Sequence, residues 1–268
     1  MSMMVDACVA QHQGDRKEQQ DRVALLPHPK GGGVALAVVA DGMGGHTGGA
    51  LAAQQVLHTA TANLEQFSVH EESPEGLLES SLREAHTLIK ASRFINEKDP
   101  HSTAVVMLLQ PGKASWAHCG DSRLYRFRGE HLLFRTTDHS FVEELVAKGR
   151  MSREQALVHP YHNLLTSTLG SGEPPRIDHG ETDDLQGGDA FVLCSDGLWG
   201  YFSDEELGAV VATHPARQAS DLLIDRARTR ARGKGDNASL IVVKLLASPK
   251  KAQTKIPRLR TIPAAWQQ

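Results

Sequence analysis

Val34-Ala35-Leu36-Ala37-Val38-Val39-Ala40-Asp41-Gly42 reads as a strand that stops at a carboxylate. Its unbroken apolar run is the clearest strand signal in the chain. The pattern returns at Ala190-Phe191-Val192-Leu193-Cys194, which is closed by Ser195-Asp196-Gly197. Gly120-Asp121 and Asp236-Asn237 also lie beside apolar segments. Strands that end in this way point several aspartates at one end of a sheet. Like charges gathered there repel unless a cation holds them. The economical reading is a metal site of oxygen ligands, suited to Mg²⁺ or Mn²⁺ and not to zinc.

Outward from that strand, residues 2–13 and 21–26 read as two short strands around a polar turn. After the turn Asp41-Gly42-Met43-Gly44-Gly45-His46, a helix is expected from Thr47, with Val56, Leu57, Ala60 and Leu64 at helical spacing. A second is expected from about Pro74 to Asn96, with proline in its first turn. Thr103–Leu109, Lys113–Cys119 and Ser122–Arg128 follow as strands so tightly spaced that they read as an antiparallel meander, extended by His131–Arg135. Ser140–Lys148 reads as a short helix. Residues 149–187 read as a long loop with one helical piece near Ser152–Leu157, and such loops in compact domains are often functional. Ser203 and Glu206 form a capping box that starts a helix, another helix runs from Pro215 to Arg230, and the strand Ala238–Leu246 closes the domain. The order indicates a layered α+β domain over residues 1–247.

Composition narrows the function. The chain has 268 residues, enough for a sizeable core at 40% hydrophobic content. A net charge of -3 gives no electrostatic case for nucleic acid. The 3 cysteines are far apart and form no C-x-x-C pair, which argues against a disulfide framework or zinc site and for a reducing compartment. Cys119 and Cys194 read as buried thiols. The 14 histidines form no H-x-x-x-H pair on a convincing helix, so they read as surface or core residues. No stretch has the length of a membrane span and no signal peptide opens the chain, so a soluble cytoplasmic protein is expected.

Asp41 has two oxygens and can bridge two ions, and Gly42 lacks a side chain that would keep its carbonyl away from one of them. The alternative is a strand-to-helix turn in which Asp41 caps the helix. Asp196 and Asp236 would each, in isolation, pass as turn or cap residues. Together with Asp121 and Asp21 they are harder to read so.

The set resembles the PP2C (PPM) family of metal-dependent Ser/Thr protein phosphatases, in its bacterial form. Carrying the resemblance are Arg16 with Gln20-Asp21, Asp41 to His46, Gly120-Asp121-Ser122-Arg123-Leu124-Tyr125, Asp138-His139-Ser140, Ser195-Asp196-Gly197-Leu198 and Gly235-Asp236-Asn237-Ala238-Ser239. It spans about residues 5–246 and implies two antiparallel sheets packed face to face with helices outside. It implies that Asp41 bridges two ions with the Gly42 carbonyl beside it, that Asp196 and Asp236 are further ligands, and that Asp121 holds a third ion with help from Asp196. Asp21 would hold metal-bound water from behind, and Arg16 would grip phosphate through its planar fork. Residues 140–170 would be the family's flap, with the basic stretch Lys148-Gly149-Arg150-Met151-Ser152-Arg153 beside the substrate.

The implied reaction is hydrolysis of phosphoserine and phosphothreonine in proteins, by a metal-bridged hydroxide attacking phosphorus directly. Consistently, Cys194 is followed by Ser195-Asp196-Gly197-Leu198-Trp199-Gly200, so the C-x₅-R loop of thiol phosphatases is absent. Two departures stand out. Gln19 replaces the family's usual asparagine, and Met43 stands where some eukaryotic members carry a histidine proposed as general acid. The expected partners are a Ser/Thr kinase and its phosphorylated substrates, met by a monomer. Two alternatives share the site: a catalytically weak phosphatase-like binding module, and a hydrolase of small phosphate esters. Residues 248–268 hold five Lys/Arg, three prolines and no acid, and read as a basic tail outside the domain, either without a role or docking an acidic partner.

Overall fold

The computed structural model describes residues 3–44, 47–93 and 99–247. The expected basic tail and His46 lie outside them. Strands β1 (Met3–His12), β2 (Arg22–Pro27), β3 (Ala35–Ala40) and the two-residue β4 (Gly42–Met43) lead into helices α1 (Thr47–Gln66) and α2 (Pro74–Ser92). Next come β5 (His101–Ser102), β6 (Ala104–Gln110), β7 (Lys113–Cys119), β8 (Arg123–Arg128) and β9 (His131–Arg135). Short helices α3 (Phe141–Ala147) and α4 (Arg153–Leu157) precede β10 (Asp178–Thr182) and β11 (Asp189–Cys194). Helices α5 (Asp196–Trp199), α6 (Asp204–Thr213) and α7 (Ala216–Ala231) precede the last described strand, β12 (Ala238–Ala247).

Local chemistry sets the helix ends. Ser73 caps α2 by accepting the Gly76 N–H at 3.0 Å, with Pro74 as first helical residue. Ser203 and Glu206 form the expected capping box at α6.

The strands build two antiparallel five-stranded sheets, ordered β1-β12-β11-β8-β9 and β10-β7-β6-β3-β2. Along β3, Leu36, Val38 and Ala40 pack toward α1 and α2, while Ala37 and Val39 enter the layer between the sheets. That double burial is why the strand is apolar without alternation. α6 and α7 cover the other sheet through Leu207, Val211, Leu223 and Ala227. The expected α-β-β-α sandwich is present. No described helix is long and apolar enough to cross a membrane.

Two expectations are corrected. The strands at 104–128 do not form one meander, because β7 and β8 lie in different sheets. Both edges of β7 are taken by β6 and β10, so after Gly120-Asp121 the chain must cross the sandwich. The long loop also contains β10, an edge strand with no large apolar residue to announce it.

The register places the key turns together. His12 pairs with Ala238, Arg22 with Ala40, Ala104 with Cys119, and Cys194 with Arg123. The connections at 13–21, 41–44, 120–122, 195 onward and 235–237 therefore all leave one end of the sandwich.

Candidate metal centre

Backbone contacts hold the acids at that end. The Asp41 carbonyl accepts the Thr103 N–H at 2.8 Å and the Ser102 hydroxyl at 3.0 Å. Gly42 pairs with Ser102 and lies against the first turn of α1: a Cβ there would stand 2.0 Å from the Gly49 carbonyl oxygen. Only glycine fits. Asp196 opens α5 immediately after β11. The Ser195 hydroxyl does not cap that helix; it donates to Asp21 Oδ2 at 2.8 Å and accepts the Ser239 N–H at 3.1 Å.

Asn237 ties Asp236 to the loop that carries Arg16. Its Oδ1 accepts the Gln20 N–H at 2.7 Å, and its amide donates to the Gln13 and Glu18 carbonyls at 2.7 and 3.0 Å. Asp15 adds a two-way clasp with Gly235, at 2.9 and 2.7 Å. Asn237 and Asp15 have positioning roles that sequence reasoning missed. The Asp-Asn pair hinted at one of them, but its partners lie more than 200 residues away. Gln19, in the departing position, accepts the Asp21 N–H through its side-chain oxygen at 3.0 Å.

Arg16, Gln20, Asp41, Gly42, Asp196, Asp236 and Asn237 line one cavity of about 600 Å³. The Arg16 guanidinium donates to Asp236 Oδ2, and this bond raises its pKa further. Asp121 is not on the cavity wall. It lies close enough for its charge and those of Asp21, Asp196 and Asp236 to act on Asp41. Its backbone carbonyl accepts the Trp199 indole N–H at 2.9 Å. Asp21 is buried, and its Oδ1 has no partner.

The electrostatics are those of crowded acids. Burial first, then mutual repulsion, drives Asp41 and Asp121 well above the usual carboxylate range. Asp196 rises for the same reasons, with Asp236 its main repelling neighbour. Burial pushes Asp21 up to about 7 despite the Ser195 hydrogen bond. A divalent cation among these oxygens would remove the repulsion, and the donor set with the orphaned Asp21 oxygen suits a hard ion. All seven sequence-derived site residues thus meet at one end of the fold, five of them on the cavity wall.

Thiol chemistry has no place here. Cys119 and Cys194 are fully buried, and burial raises both, Cys119 to about 12. In the expected flap, Lys148 pairs with Glu144 at 3.1 Å and Arg153 with Glu143 at 3.4 Å. Much of that segment's positive charge is therefore already answered by α3.

Comparison with known proteins agrees with this geometry. Residues 10–232 match the family model described as protein phosphatase 2C. The chain is 31% identical over 219 residues to protein phosphatase PhpP of Streptococcus pneumoniae, covering 80% of this chain and 87% of that protein. It superposes on the S. agalactiae serine/threonine phosphatase with a TM-score of 0.81 at 28% identity, over 90% of this chain and 99% of that one. The catalytic domain of serine threonine protein phosphatase PstP in complex with 2 manganese ions superposes with a TM-score of 0.76 at 26% identity, over 92% of this chain and 100% of that one. With the acids in family order, at the end of the sandwich where the strands of both sheets stop, this chain belongs to the protein phosphatase 2C family.

Proposed function

We propose that the chain hydrolyses phosphoserine and phosphothreonine in proteins, using Mn²⁺ or Mg²⁺. The observation that carries this reading is the convergence of Asp41, Asp196 and Asp236 with Arg16 on one cavity. Asp41, the Gly42 carbonyl, Asp196 and Asp236 would hold two ions, and Asp121 with Asp196 a third. Ions bound there would neutralise the dianionic ester and lower the pKa of the attacking water. The protein's own part is to place the acids, keep the pair Asp21 and Ser195 behind them, and present Arg16 to phosphate. Arg16 is well exposed and pairs with Asp236 through its tip, so it can exchange Asp236 for a phosphate oxygen. The natural substrates would be products of a Ser/Thr kinase.

The test is turnover of p-nitrophenyl phosphate and a phosphothreonine peptide with Mn²⁺, Mg²⁺ or EDTA. Activity with either ion and none in EDTA is expected. Activity that persists in EDTA defeats the metal mechanism, and none with any ion supports a binding module. Small-ester turnover without peptide turnover supports the small-ester hydrolase.

Arg16→Ala should raise KM for the phosphopeptide about 10-fold or more, the scale of a lost charged hydrogen bond. Arg16→Lys should recover only part of it, because an ammonium cannot reproduce the fork. A collapse of kcat at constant KM would instead make Arg16 a transition-state residue.

A further inference from the structure

His118, His139 and Asp178 form a cluster that the proposed phosphatase chemistry does not use. Asp178 on β10 stands directly opposite His118 on β7 in the antiparallel ladder, so both side chains leave the same face. His139 reaches them from the segment that leads into α3. Its N–H donates to the Gly120 carbonyl at 2.9 Å, and its carbonyl accepts the Thr166 N–H at 2.8 Å. One nitrogen from each ring and one Asp178 oxygen all lie within 4.8 Å of one another. His118 and His139 are 4% and 0% exposed, and Asp178 is open to solvent on one side.

Hydrogen bonding leaves two atoms over. His118 Nε2 donates to the Thr137 carbonyl at 2.9 Å, which puts the lone pair on Nδ1, where no donor meets it. His139 Nδ1 accepts the Gly120 N–H at 3.2 Å. His139 Nε2 lies 3.3 Å from Asp178 Oδ2, a contact too poorly aligned for a full hydrogen bond. One unpartnered and one poorly partnered nitrogen, both deeply buried, are costly unless something fills the gap. Burial lowers both rings, His139 to about 4, so both are neutral: His118 offers its Nδ1 lone pair as it stands, and His139 offers one at Nε2 only in its other tautomer. Burial works against ionisation of Asp178, but Arg176 and then His139 outweigh it and hold the pKa below the usual value.

We propose that His118 Nδ1, His139 Nε2 and Asp178 bind one zinc-class transition-metal ion, distinct from the acidic centre. Two imidazoles and a carboxylate suit Zn²⁺ or Co²⁺, whereas Mg²⁺ prefers oxygen alone. The outer contacts are those that ligands of such ions use. Thr137 fixes the His118 ring, and Arg176 grips Asp178 at 2.9 and 2.6 Å while leaving the carboxylate further lone pairs. Coordination through His139 Nε2 moves the ring proton to Nδ1 and gives up the long Gly120 contact. The ion would fasten β7 and β10 to the base of residues 140–170, with a water completing its coordination from the open side of Asp178.

The experiment uses the full chain dialysed against Zn²⁺ or Co²⁺ in excess Mg²⁺, with elemental analysis and the visible spectrum of the Co²⁺ form. One Mg²⁺-resistant equivalent is expected in the wild type and in Asp236→Asn. Affinity should fall at least about 10–100-fold in Asp178→Asn and His118→Asn. Asp178→Asn preserves shape at a part-exposed position, so it remains informative if His118→Asn does not fold. No retained ion in the wild type, undiminished affinity in the folded variants, or loss in Asp236→Asn would each overturn the assignment. The first would leave a buried water as the occupant. None of these outcomes depends on phosphatase turnover.

Discussion

Asp41→Ala and Asp236→Ala should each lower kcat by at least ~10², the scale of losing a major electrostatic element of a reaction site. Asp41 feels every other acid of the cluster, so it lies at the point where a shared cation would be held by most charges. Asp236 stands on the cavity wall and accepts from Arg16, so its loss removes a proposed metal-ligand carboxylate and frees the arginine. Calorimetric titration with Mn²⁺ should show the tight binding events weakened in both variants. Asp121→Ala should behave differently. Asp121 does not line the cavity, and Asp196 is its strongest repelling neighbour, so its removal should leave tight binding largely intact while impairing turnover. Equal loss of Mn²⁺ binding in all three variants would contradict a separate role for Asp121.

Legibility in the sequence followed burial. Residues 34–40 and 190–194 could be read as strands because each is buried on both faces and needs apolar side chains throughout. β10 could not. Asp178-His179-Gly180-Glu181-Thr182 is an edge strand fixed by its ladder to β7, and a ladder leaves no mark on composition. The β7–β8 link read as a hairpin because its length allows one. What forbids pairing is the prior occupation of both β7 edges, a fact of topology. Gly120 takes a φ of +100° there and presses on Thr103, where a Cβ would come within 2.6 Å of that side chain. The acids were legible because carboxylates at strand ends have few reasons to gather. Asn237, Asp15 and the His118–His139 pair were not, since each gains its meaning from a partner remote in the chain.

Arg123→Met should destabilise the protein by about 3–5 kcal/mol, the cost of leaving a buried charge without its partner. Two of the motifs that carry the family resemblance meet in this residue. Its Nε and Nη2 donate to Asp138 Oδ1 and Oδ2 at 2.8 and 2.7 Å, a bidentate pair with side chains only 12% and 8% exposed. The guanidinium carbon also lies 3.5 Å from the centroid of Trp199, whose indole N–H holds the Asp121 carbonyl. Burial disfavours the charged arginine, but the Asp138 bonds outweigh it and its pKa is raised. Methionine fills much of the volume and leaves the Asp138 carboxylate facing an apolar wall. Asp121 also loses the positive charge that offsets part of its repulsion. For a domain of this size the melting temperature should drop by roughly 6–20 °C. Replacing the carboxylate as well, in Arg123→Met with Asp138→Leu, should recover much of the loss, because the unpaired charge is then gone. Denaturant unfolding of the two single variants and the double variant measures the coupling. Additive losses would mean that the pair contributes no interaction energy, and that the two motifs are held together by the surrounding backbone instead.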